Sequence, residues 1–154
     1  MSGIVDIGCA VADVHHRYHA IHNALFGAAS FRLIIDALRG HRQRAYGEFS
    51  QSLKGLQDEL VTLKLQIKDM TRNEATKGRD RELQQVLSDY AEALGQAIAG
   101  LDLIFTNLRQ DESAYRDTGV DGRSGFTRDK VQYDHLLATL ERLGTRLNRL
   151  FANY

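Results

Sequence analysis

Residues 82–105 read ELQQVLSDYAEALGQAIAGLDLIF, and their apolar positions decide the fold. Leu83, Leu87, Tyr90, Leu94, Ala97, Leu101, Ile104 and, just beyond, Leu108 recur at alternating steps of three and four, with Ile98 and Phe105 widening the face. That period places them on one side of a helix and leaves no room for the two-residue alternation of a strand. The same spacing appears on both sides of this stretch. Upstream it runs through Tyr46, Phe49, Leu53, Leu56, Leu60, Leu63, Ile67 and Met70. Near the start it runs through Ile4, Ile7, Val11, Val14, Tyr18, Ile21, Leu25 and Ala28. Downstream it runs through Tyr133, Leu136, Leu140, Leu143, Leu147, Leu150 and Tyr154.

The chain contains no proline, so nothing in its composition stops these helices from running long. Helices are expected at about 4–39, 42–71, 80–116 and 127–153, within a single helical bundle over 1–154. The first stripe shifts phase near Gly27 before resuming as Phe31, Ile35 and Leu38, so a bend or break is expected there, with Gly40 as the closing cap. Arg72–Asp80 reads as a solvated turn. DTGVDGRSG at 117–125 reads as the one flexible loop, with Ser124 or Thr127 capping the last helix. Each stripe must bury itself against the others, which makes an antiparallel four-helix bundle the leading all-α architecture. Strict heptads leave a dimer of helical hairpins as the alternative.

Composition removes several classes of function. Twenty Lys and Arg balance twenty Asp and Glu over 154 residues, so no basic excess is available for a nucleic-acid surface. No stretch is apolar enough for a transmembrane helix, and the start lacks the basic opening of a signal peptide. A cytoplasmic protein, with recruitment to a membrane as a further step, is the expectation. The single Cys9 has no basic neighbours in sequence and reads as a buried, inert thiol.

Two groups of residues carry candidate chemistry. His15, His19 and His22 stand at i, i+4 and i+7, a spacing at which imidazoles on one helical face can share a metal ion. They lie beside the Val11, Val14, Tyr18, Ile21 stripe, and no other helix offers a Glu-x-x-His pair to complete a site, so solvated or seam histidines are the plainer reading. Their titration near pH ~6.5 would add charge to this helix. Arg32, Arg39, His41, Arg42 and Arg44 form a basic run opposed only by Asp36, and Arg142, Arg146 and Arg149 line a face of the last helix. These can meet an acidic partner, anionic lipid or acids on neighbouring helices. Tyr18, Tyr46, Tyr90, Tyr133 and Tyr154 read as core residues whose hydroxyls reach the bundle edge. Nucleophile, base and orienting group converge nowhere in the pattern, so neither catalysis nor a cofactor is expected.

The opening MSGIVDIGCAVADV, EFSQSLKGLQDELVTLKLQI at 48–67, the 82–105 stretch and LERLGTRLNRLFANY at 140–154 together resemble the HeLo and HeLo-like N-terminal domains of fungal NLR-like (STAND) receptors. Those bundles are similar in turn to the four-helix domains of mixed-lineage kinase-like pseudokinases and the coiled-coil domains of plant resistance proteins. The resemblance implies a non-enzymatic signalling module of the cell-death or immune type. It would work through a protein partner or self-association and through contact with anionic membrane. On that reading Ile4, Ile7, Val11 and Val14 form an apolar surface exposed on activation, and Arg39, Arg42 and Arg44 supply the lipid-facing charge. The alternatives are a bundle that binds metal or another ligand through His15, His19 and His22, and a coiled-coil scaffold.

Overall fold

The computed structural model describes residues 3–27, 42–73, 79–116 and 124–154, with the side chains of Arg42, Gln43, Asn73 and Arg79 outside that description. It forms four helices: α1 (Ile4–Phe26), α2 (Arg42–Asn73), α3 (Arg79–Arg116) and α4 (Gly125–Ala152). No strand occurs among the described residues. Phe49 on α2 meets Phe105 on α3, Gln57 donates to the Gly95 carbonyl at 3.3 Å, and Lys64 pairs with Glu92 at 3.1 Å. These pairs descend along one helix as they climb the other, so α2 and α3 are antiparallel. Tyr90 lies beside Gly144 and Tyr133 beside Gly100, which sets α4 antiparallel to α3. The chain is thus an antiparallel four-helix bundle.

Its core is centred on α3. Leu83, Leu87, Leu94, Ala97, Ile98, Leu101, Ile104, Phe105 and Leu108 are all fully shielded from solvent. Glycine positions the neighbours: a Cβ at Gly100 would stand 3.2 Å from both Tyr133 and Leu136, and one at Gly144 3.2 Å from Tyr90. With hydrogen there instead, α4 lies close enough to α3 to bury Tyr133, Leu140 and Leu147. The buried polar side chains are answered within the bundle, Ser50 by Asp102 and Gln84 by Thr71. No buried side-chain polar atom is left unpaired among the described residues.

Helix ends follow local chemistry. Ser124 accepts a hydrogen bond from the Thr127 N–H at 3.1 Å and caps α4, the earlier of the two caps read from sequence. Asp111 leaves helical geometry inside α3, at φ −159° and ψ 88°. Its carboxylate accepts from the Ala114 N–H at 3.1 Å, so it acts as a new N-cap for the last turn. The break expected at Gly27 is present. The first helix closes at Gly27, whose N–H donates to the Asn23 carbonyl at 2.7 Å, at the position where the apolar stripe changes phase. Phe31, Ile35, Leu38 and the Gly40 cap lie outside the described residues, as do Arg32, Arg39 and His41.

Helix α1 packs chiefly on α2 and less closely on α3. Arg17 bridges it to Glu59 of α2 and pairs with Asp13 one turn away at 2.9 Å. Against α4 it makes contact at its two ends. The dominant contribution to stability is therefore the α2–α3–α4 core. Leu94→Ala, at a fully enclosed position, is expected to cost about 2–5 kcal/mol in denaturant unfolding. A loss well under ~1 kcal/mol would contradict that packing.

Candidate functional site: the groove between the first and last helices

Glycine at position 8 lets the Phe151 ring lie against the α1 backbone, where a Cβ would stand only 2.7 Å from the ring. At the other end His22 lies tilted against Tyr133 at 5.6 Å, and Phe26 meets Tyr133 and Phe126 at 5.9 and 6.3 Å between ring centres. Lys130 lies over the Phe26 ring at 4.7 Å. These aromatic contacts pin the seam at both ends. Between them the residues that face each other include Ala12 on α1 and Gly144 on α4, too small to fill the space. What remains is a groove of about 800 Å³, floored by Tyr90 of α3.

One wall is α1: Val5, Gly8, Cys9, Ala12, His15, His19 and His22. The other is α4, from Leu137 and Glu141 through Thr145 and Leu147 to Phe151. The lining is apolar toward Phe151 and aromatic and polar toward the imidazoles. At the polar end Tyr133 is the hub. Its hydroxyl is hydrogen-bonded to the Tyr18 hydroxyl and lies 2.8 Å from His22 Nδ1. With Nδ1 as acceptor, Tyr133 donates to His22 and Tyr18 donates to Tyr133, and every member of this buried chain is satisfied with His22 neutral. Burial holds both tyrosines far above the usual phenol range. Tyr90, below the groove, is pushed up to about 12 by burial.

The imidazoles move the other way. Burial first, then the neighbouring His19 and His16, lower His15. Burial, then His19 and Lys130, lower His22, against a smaller opposing pull from Asp134. Both rings are thus held neutral near neutral pH. The three histidines foreseen as a metal set do line one site, but in file along the groove wall, with ring centres 5.9 Å apart for His15 and His19 and 5.7 Å for His19 and His22. Among the described residues no three His, Cys, Asp or Glu converge to hold a metal ion. His22 is committed to Tyr133, and His19 Nδ1 lies 3.3 Å from the Asn23 amide.

Other expectations are placed as follows. Ile7, Val11 and Val14 are buried core residues and Ile4 is partly buried against them, so the resting bundle presents no apolar surface built from these four. Arg44 is exposed and paired with Glu48 at 3.3 Å, while Arg39 and the Arg42 side chain lie outside the described residues. Arg146 pairs with Glu82 across to α3 at 3.0 Å. Cys9 is not buried: it is exposed and sits on the groove wall, because position 9 falls one step off the core stripe. The Tyr18 and Tyr133 hydroxyls do not reach the bundle edge but meet each other inside it. Sequence reasoning missed the groove itself. Its one available signal was the small residue at Gly8, Ala12 and Gly144, each one position beyond a large stripe residue (Ile7, Val11 and Leu143).

No protein-family profile, curated protein or solved structure matches this chain.

Because His15 and His22 take up protons less readily in the fold than at the usual value of about 6.5, the unfolded chain binds more protons as pH falls. Their neutral state therefore stabilises the fold fully above about pH 6.5, and that contribution is lost progressively below it. Thermal unfolding is expected at lower temperature at about pH 5.5 than at about pH 7.5, with a smaller difference in His22→Gln. An equal pH difference in the variant would contradict the role given to His22.

Proposed function

We propose that this chain is a non-enzymatic binding module whose site is the groove between α1 and α4. The observation that carries this reading is the seam itself, pinned by aromatic contacts at both ends and open between them over about 800 Å³. That volume lies within the range of roughly 300–1,000 Å³ usual for small-ligand sites. Apolar walls with a few polar groups gathered on one stretch also match what such sites need: burial for affinity and a handful of hydrogen-bonding groups for orientation. The alternative read from sequence, a ligand-binding bundle using the first-helix histidines, is supported in this form, with imidazoles as lining and not as a metal cage.

A second reading is favoured by the attachment of α1. Among the described helices this one shares the least contact with the rest of the bundle, so its release would disturb less packing than release of any other and would bare Ile7, Val11, Val14 and Tyr18. That is the exposure the signalling expectation requires for self-association or contact with an anionic membrane. No helix among the described residues is long and apolar enough to cross a membrane, so on this reading α1 lies on a surface and does not span it.

An apolar dye that brightens on burial, N-phenyl-naphthylamine, is expected to bind the native chain at a saturable site. Ala12→Phe fills the groove from an exposed position and is expected to abolish the signal while circular dichroism and unfolding stay unchanged. Equal brightening in the variant would remove the groove as the site. For the second reading, the chain is expected to release dye from anionic phospholipid vesicles and not from neutral ones. Intact vesicles in both cases would contradict it.

A further inference from the structure

The groove has a charge pattern as well as a shape. Glu141 is the one formally charged side chain on its walls, and among the described residues its carboxylate has no ion pair or hydrogen bond. Two cations beside the seam are already matched, while Arg142 and Arg149 of α4 are exposed and stand outside the groove lining. On α1, Arg17 is held by Asp13 and by Glu59 of α2, and on α4 Lys130 is held by Asp134. Between the pins at Gly8–Phe151 and His22–Tyr133, the antiparallel register sets Glu141 level with His15. His15 in turn lies edge-on to Tyr90, with ring centres 6.2 Å apart. The middle of the groove therefore gathers a free carboxylate, a neutral imidazole and a phenol ring. From there to Val5 the wall is lined by Ala12, Gly8, Leu147 and Phe151, over about 15 Å at the helical rise.

We propose that the groove binds a cationic amphiphile, with its ammonium head between Glu141, His15 and Tyr90 and its alkyl chain along Gly8, Leu147 and Phe151. This rests on the reading of the groove as a binding site and adds the chemistry of what enters it. A cation finds there an opposite charge and two aromatic rings, the neutral imidazole and the phenol, which together favour ammonium over other heads. An anionic head would face Glu141 with no cation among the lining residues to balance it. The apolar length fits a chain of about a dozen carbons, each methylene adding about fourfold in affinity when buried.

The pH dependence follows from the groups that face this position. His15, His16, His19 and His22 stand on α1, Tyr90 on α3, and Glu141 with the Lys130–Asp134 pair on α4, while Glu59 of α2 is committed to Arg17. Acidification adds positive charge to His15 beside the head, which then competes with the ammonium for Glu141. Cation binding therefore weakens as pH falls.

The test uses the intact chain with N-phenyl-naphthylamine in the groove and three competitors below their micelle concentrations: dodecyltrimethylammonium, dodecanol and dodecanoate. The expected order of displacement at about pH 7.5 is the ammonium first, dodecanol next and dodecanoate last. Glu141→Gln, at an exposed position that leaves the core untouched, is expected to weaken the ammonium about fivefold and leave dodecanol unchanged. Lowering pH to about 5.5 weakens the ammonium, whose charge is permanent, and spares dodecanol. Dodecanoate equal to or better than the ammonium, or an ammonium affinity indifferent to Glu141→Gln, overturns the cationic head while displacement by dodecanol keeps the groove. Failure of the dye and of all three competitors to bind overturns the groove reading and this one together.

Discussion

The contact that governs the α1 side of the molecule is the meeting of a glycine with an aromatic ring. Phe151 rests on the backbone at Gly8, and the Phe26, His22 and Tyr133 rings close the opposite end of the same seam. Two pins of this kind hold a helix in place without requiring it to be packed along its whole length. Glycines set against aromatic rings also seat α4 on α3, at Gly100–Tyr133 and Gly144–Tyr90, around an α3 face enclosed by large side chains from Leu83 to Leu108. Most of the core lies in α2, α3 and α4, with Ile7, Val11, Val14 and Tyr18 of α1 joining it, and the opening lies between α1 and α4.

The polar groups differ between core and seam. In the core each one has a partner, as Ser50 has Asp102 and Gln84 has Thr71. Along the seam the tyrosine pair and His22 form a chain that is satisfied with a neutral imidazole, while Glu141 on the facing wall remains free among the described residues. The groove's polarity, apolar at Phe151 and aromatic with nitrogen bases from His15 to His22, gives an occupant a direction.

Much of the fold was legible in the sequence because helical burial is periodic. Every residue assigned to the third stripe is buried, and in the second only Phe49 and Met70 keep partial exposure. The end of α1 at Gly27 was visible as a phase shift in the apolar stripe. Cys9 was misplaced because a single apolar-looking residue one step off a stripe carries no periodic signal of its own. The site was only partly legible. The i, i+4, i+7 spacing put His15, His19 and His22 on one face, but spacing on one helix says nothing of what stands opposite, and the opposite wall supplied a tyrosine hydroxyl and a lone carboxylate in place of further ligands. A void is harder still to read, because it is made by what is missing from side chains on two helices over a hundred residues apart.

The central claim is that the chain binds apolar ligands between α1 and α4, and the most direct test is backbone amide shift mapping during titration with dodecanol. The account predicts shifts concentrated at Gly8, Ala12, His15, Gly144, Thr145 and Asn148, with Val61, Leu65 and Leu103, exposed apolar residues outside the groove, left unmoved. Shifts centred on Val61, Leu65 or Leu103, with the two groove walls silent, would contradict it.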